Sequence, residues 1–168
     1  MNNSLTQITL RMQTAVHQAL ARKAQKKGQE LADYVTDELA RLVLDELDHD
    51  ERERLDAELE VKDAAIEFAK DQTKQNGFAP DITLQVFRHI RQKDALRECY
   101  SRAIGNRPGN DRGNWTKARI NRAIGASVKA ALGAASQTLG GDPLKVQVTG
   151  EFIRSYTPLE PGKKGANV

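Results

Sequence analysis

Cysteine is almost missing from the 168 residues: Cys99 stands alone. No internal disulfide and no cysteine-based zinc site is expected. Cys99 falls on an apolar helical stripe, which marks it as a core residue rather than a nucleophile. The three histidines, His17, His49 and His89, stand singly, and no pair has catalytic or metal-ligand spacing. Asp48, His49, Asp50 and Glu51 are consecutive and point in different directions on a helix, so no metal site is expected there. No Walker-type phosphate loop is present, and the acidic residues Asp81, Asp94, Glu98, Asp111 and Asp142 are scattered. Neither an enzyme nor a cofactor is expected. No run of eighteen apolar residues occurs, so no membrane span is expected. The opening "MNNSLTQ" lacks a basic segment followed by an apolar one, so no secretory signal is expected, and the cytoplasm is the expected location.

What the chain does have is charge, unevenly spread. Charged residues make up 29% and the net charge is +3. Residues 1–44 carry +2, residues 45–72 carry −8 and residues 73–168 carry +9. Such asymmetry points to separate tasks for the segments, with nucleic acid a natural partner for the basic ones.

"LTQITLRMQT", residues 5–14, alternates at its centre: Gln7, Thr9 and Arg11 are polar, Ile8, Leu10 and Met12 apolar. Alternation is the pattern of a half-buried strand. Two helical patterns follow. Thr14 is the expected N-cap of the first, whose apolar stripe is Val16, Ala19, Leu20 and Ala24. Lys26 and Lys27 suit its C-terminal dipole, and Gly28 suits the position just past its end. The second carries Leu31, Tyr34, Val35, Leu39, Leu42 and Val43 on one face. A unit this small cannot bury a sufficient core alone. Two copies pairing their strands antiparallel about a two-fold axis would supply both the core and the missing strand partner.

The remaining chain reads as mainly helical. The acidic segment 48–76 predicts a helix or linker, helical from about residue 51 to 75, with Leu55, Leu59, Ile66 and Ala69 as a sparse stripe. Gly77 and Pro80 break it. Asp81 then caps one long expected helix through residue 105, with Leu96, Cys99, Tyr100, Ala103 and Ile104 on one side. "GNRPGNDRGN" is a loop. Asn114 or Thr116 opens a helix in "WTKARINRAIGASVKAALGAASQTLGG", with Ile120, Ile124, Val128, Ala131 and Leu132 along one side and "GGDP" as its end. Small residues between 130 and 135 point to close packing. "LKVQVTGEFIRSY" reads as a strand, or a hairpin turning at Thr149 and Gly150, and residues 158–168 read as a tail. The expected organisation is an N-terminal unit over 1–47, the acidic segment 48–76, a helical C-terminal domain over 77–157 with terminal strands, and the tail.

The N-terminal unit resembles the ribbon-helix-helix DNA-binding family of the Arc and methionine repressors. The residues that carry the resemblance are the "ITLRM" strand at 8–12, the "VHQALARKA" helix at 16–24, Gly28, and the "LADYVTDEL" helix at 31–39. The resemblance spans about 44 residues and is one of pattern and spacing. It implies a homodimer whose paired strands enter the major groove of double-stranded DNA. Gln7, Thr9 and Arg11 are then the expected base readers: Arg11 donates to guanine O6 and N7, Gln7 pairs with adenine, and Thr9 hydrogen-bonds or touches a thymine methyl. The resemblance also places a phosphate at the N-terminus of the second helix, beside Gln29 and Glu30. The chain departs from the family there, because Glu30 is negative where Ser, Thr or Asn is usual. Lys23 also replaces a usual apolar residue.

A second basic region covers residues 97–129. Arg102, Arg107, Arg112, Lys117, Arg119 and Arg122 surround Trp115, the one tryptophan. One expectation is a surface that grips phosphates while Trp115 stacks on a base. The other is an oligomerisation or partner-binding domain with Trp115 in its core. The alanine-rich helix and the "LKVQV" strand incline the reading towards assembly, as a tetramer or larger. The functional expectation is a transcriptional regulator binding DNA as a dimer. Alternatives are a plasmid or phage maintenance or DNA-transfer accessory protein, an antitoxin with a partner-binding C-terminal half, and a metal-dependent nuclease.

Overall fold

The computed structural model describes residues 9–162. Within them the chain is mainly helical, with a few short strands near the C-terminus. The helices are α1 (Thr14–Lys27), α2 (Leu31–Leu42), α3 (His49–Asn76), α4 (Ile82–Gln92), α5 (Asp94–Ala103) and α6 (Trp115–Ala131). No helix among the described residues is long and apolar enough to cross a membrane.

α1 starts at the expected cap itself, one residue early. Gln13 is the N-cap and its carbonyl accepts from His17 N at 3.0 Å, so Thr14 is already helical and caps nothing. The end of α1 follows expectation. Gly28 adopts φ 70°, and the N–H of Gln29 donates back to Ala24 O at 2.9 Å. Gly28 is required twice over, because a Cβ there would lie 2.6 Å from the Cα of Ala131 at the end of α6.

The acidic segment is a central structural helix. The Asp48 side chain caps α3, accepting from Glu51 N at 2.8 Å. Ala57, Val61, Ala65 and Ala69, spaced four apart, are buried in the core. Small side chains on this row let the facing helices approach closely. Cys99, Tyr100 and Ala103 of α5, Ile120, Ile124 and Val128 of α6, and Ile82, Val86, Phe87 and Ile90 of α4 pack into the same core. The expected boundary at residues 76 and 77 therefore has one core on both sides.

The long helix expected from Asp81 is two helices. Lys93 takes an extended conformation, φ −91° and ψ 114°, between α4 and α5. In an unbroken helix the apolar stripes of the two halves would lie about 100° apart. The break lets both stripes meet α3. Asp81 occupies the N-cap of α4, but its side chain accepts from Gln85 Nε2 at 2.8 Å instead of from the backbone.

α6 opens at Asn114, whose side chain accepts from Lys117 N at 3.0 Å. It ends at Ala131, eight residues earlier than the sequence pattern suggests, because Gly133 turns the chain at φ 56°. The residues that follow form strands. β1 (Ala134–Ser136) leads to a small hairpin of β2 (Thr138–Leu139) and β3 (Asp142–Pro143). Gly140 and Gly141 make its two-residue turn, both with positive φ as such a turn demands. "GGDP" is thus a hairpin turn and not a helix end. β4 (Val146–Gln147) pairs antiparallel with β5 (Ser155–Tyr156), and Thr149 and Gly150 lie in the connecting loop, so the hairpin reading holds.

The tail begins later than expected. β6 (Leu159–Pro161) pairs with β1, Ser136 opposite Leu159. Leu159 is buried in the core and its N–H donates to Pro80 O at 2.8 Å. A single apolar residue among Pro, Gly and Lys leaves no periodic signal, yet tertiary pairing recruits it.

Candidate nucleic-acid interface

Gln7 lies outside the described residues. Thr9 and Arg11 are exposed and lie in a segment without regular structure ahead of α1. The apolar residues that alternate with them are open too: Leu10 is 56% exposed and Met12 38%. In one chain this segment therefore covers neither of its faces.

Further apolar side chains are open on the helices: Val16 of α1, Leu39 and Leu42 of α2, and the following Val43. A different face of α2 turns inward. Tyr34 and Asp37 are buried, and Arg41 pairs with Asp63 of α3 at 2.6 Å. Positions 34, 37 and 41 share one side of a helix, and 39, 42 and 43 share another about 150° away. The inward side thus takes Tyr34 away from the expected apolar face and joins it to polar residues; of that face Leu31 and Val35 are half-buried and Leu39, Leu42 and Val43 stay open.

The apolar periodicity of α2 does not reveal that polar side. Lys62 Nζ of α3 donates to Asp37 Oδ1, and Gln29 Nε2 donates to Asp37 Oδ2 at 2.8 Å. Lys70 Nζ donates to the carbonyl of Lys27 at 2.8 Å. The available signal was Asp37 sitting one turn from Tyr34: a carboxylate beside an aromatic on one face needs a partner if that face is buried.

At the N-terminus of α2, both expected phosphate residues are now placed. Gln29 is buried, with its N–H on Ala24 and its side-chain amide on Asp37, so it has turned away from solvent. Glu30 is the N-cap, exposed, with no side-chain cap bond, and Asp33 adds a second carboxylate to the first turn. The leading N–H groups of the helix are free of side-chain capping, but two negative charges stand beside them.

The second basic region divides into paired and unpaired cations. Arg119 is held by Glu58 of α3 through two bonds of 2.7 and 2.5 Å, and this bidentate contact raises its already high pKa. It is a strut between α6 and α3, not part of an open surface. Arg107 pairs with Asp111 at 3.3 Å. Arg102, Arg112 and Arg122 are exposed and make no ion pair among the described residues. Trp115 is 53% exposed, so the alternative that places it in a core is not met. Lys117 Nζ donates to Asp111 O at 2.8 Å; burial and nearby Arg154 lower its pKa, while Asp111 pulls the other way.

Cys99 is fully buried, as expected, with its thiol against Ala57 O at 3.3 Å and Glu60 at 3.2 Å. Burial, reinforced by Glu60, pushes its pKa up to about 12. His89 stacks on Phe68 at 4.1 Å and is drawn down from its usual pKa by burial. Both are packing groups. No cluster of His, Cys, Asp and Glu able to hold a metal occurs among the described residues.

Comparison with protein-family models, with curated proteins and with solved structures gives no match to this chain.

Proposed function

We propose that the protein is a homodimeric, sequence-specific double-stranded DNA-binding protein that regulates transcription, with a ribbon-helix-helix unit at its N-terminus. It acts by binding and not by catalysis. The observation that carries this reading is the open apolar surface of Leu10, Met12, Val16, Leu39, Leu42 and Val43. Those residues come from the strand-like segment, from α1, and from α2 and its end, the three parts that a ribbon-helix-helix dimer buries between its subunits. Large exposed apolar patches mark interaction surfaces. The chain's own packing onto α3 leaves this surface free and uses the opposite side of α2.

In the dimer, Leu10 and Met12 turn into the shared core, and Thr9 and Arg11 turn outward to base edges, with Gln7 beside them. Two recognition half-sites of opposite orientation mirror the two-fold axis.

The test is selection of bound fragments from genomic DNA with the full-length protein, alongside sedimentation. An inverted repeat enriched by a dimer supports the reading. A stable monomer at micromolar concentration, or enrichment without any repeated half-site, overturns it.

A further inference from the structure

Two adjoining cavities run along α6. One, of about 460 Å³, lies against Trp115, Lys117, Arg122 and Arg154. The other, of about 370 Å³, lies against Arg122, Lys129 and Lys145. They share Asn121, Arg122, Ile153 and Ser155, so together they form one groove between α6 and the β4–β5 hairpin.

The helix pattern explains the groove. Trp115, Ala118, Arg122, Gly125, Ala126 and Lys129 recur at helical spacing along the α6 face that lines it. Ala118, Gly125 and Ala126 are small and leave room over the helix, while Trp115, Arg122 and Lys129 place an aromatic and two cations along it. Lys117 and Lys129 lie about 18 Å apart along the axis, at about 1.5 Å per residue.

The cations of the groove outnumber its carboxylates, five to one. Elsewhere in this half, Arg88 and Arg91 pair with Glu151, Arg97 with Asp94, Arg107 with Asp111, and Arg119 with Glu58. None of Lys117, Arg122, Lys129, Lys145 and Arg154 has such an ion pair among the described residues. The one carboxylate at the groove, Asp111, is already engaged by Arg107. Five cations along one groove favour an anionic ligand.

We propose that this groove binds single-stranded nucleic acid, its phosphates following the five cations and one base stacking on Trp115. A polyphosphate chain matches a row of point charges, and an exposed indole at the end of the row offers a stacking platform. The bases of a duplex are already stacked on each other and cannot use it. This site is separate from the ribbon and has its own test.

Trp115 is the only tryptophan, so its fluorescence reports on the groove directly. Titration of the full-length protein with a fifteen-nucleotide oligothymidine (about the upper end of known site sizes) should quench it. The affinity should fall with salt at a slope of about −0.7 per phosphate engaged. By anisotropy of the labelled oligonucleotide, Trp115→Ala should weaken binding about 5- to 150-fold. Lys145→Gln with Arg154→Gln should weaken it and flatten the salt slope, with melting unchanged; Lys145→Gln alone is the gentler second variant. Arg11→Ala should leave oligothymidine binding intact even where it damages duplex recognition. Absence of quenching at low salt overturns the proposal. So does equal competition by polyglutamate, which would make the groove an acceptor for acidic peptides, or equal affinity for a duplex in the Arg11→Ala background.

Discussion

Asp37 of α2 and Lys62 of α3 form an ion pair closed almost entirely to solvent, with side-chain exposures of 9% and 10%. Gln29 fills the second carboxylate oxygen, so the cluster ties the N-terminal helices to the central helix. Removing one partner of a buried pair strands the other charge. Asp37→Asn should therefore destabilise the full-length protein by about 3–5 kcal/mol in urea unfolding, and Asp37→Leu combined with Lys62→Met should cost less than Asp37→Asn alone. A loss below about 1 kcal/mol for Asp37→Asn would mean that the pair behaves as a surface one.

Leu42 is 78% exposed in the single chain. Leu42→Asp should leave the helical content of the protein unchanged, because nothing in its own chain covers that side chain. It should convert the proposed dimer to a monomer, because an unpaired charge would be buried at the proposed interface. Sedimentation velocity across a concentration series reads both states. Loss of helix without change of mass would place Leu42 inside the chain's own core.

Arg11 is the residue to which the proposed function assigns a guanine contact. Arg11→Ala should cost about 1–3 kcal/mol per contact and relax preference at one base per half-site. Competition with single-base variants of the selected site measures this. An unchanged preference would reduce Arg11 to a surface charge.

Glu30 places a negative charge at the N-terminus of α2, where the proposed function needs a phosphate. Glu30→Ser should tighten binding to all duplex sequences alike, by about 0.3–1 kcal/mol per helix terminus. The gain should shrink as salt rises. Weaker binding would sink the idea that its charge is a penalty.

Cys99 holds its proton up to about pH 12 in the folded protein, against 9.0 as the ordinary value. In the unfolded chain it ionises first, so the stability it contributes is complete below pH 9 and is lost progressively between pH 9 and 12. Cys99→Ala should make the alkaline decline of stability shallower. In the native protein the thiol should resist a disulfide reagent at pH 8, and it should react once urea unfolds the chain. Rapid reaction without denaturant would show that α5 leaves α3 readily.

Periodicity alone made the helices legible. α1, α2 and the start of α6 follow from apolar stripes with Gly28 and Asn114 as punctuation, and the buried place of Cys99 follows from its stripe. These are local signals: a cap, a glycine and a 3.6-residue repeat act within a turn or two. The base-reading role expected of Thr9 and Arg11 rests on the family resemblance, and the alternation behind it stays a sequence pattern, since one chain gives that segment no partner. What tertiary structure decided depends on distant contacts. The split at Lys93 exists because two stripes about 100° apart must both reach α3. Leu159 became a strand residue because β1 and Pro80 lay within reach. Arg119 left the basic surface because Glu58 stood opposite it, sixty-one residues away. Charge is visible in a sequence, but which cations are paired is not, because pairing is set by where the helices pack. The groove along α6 is what remains after that pairing.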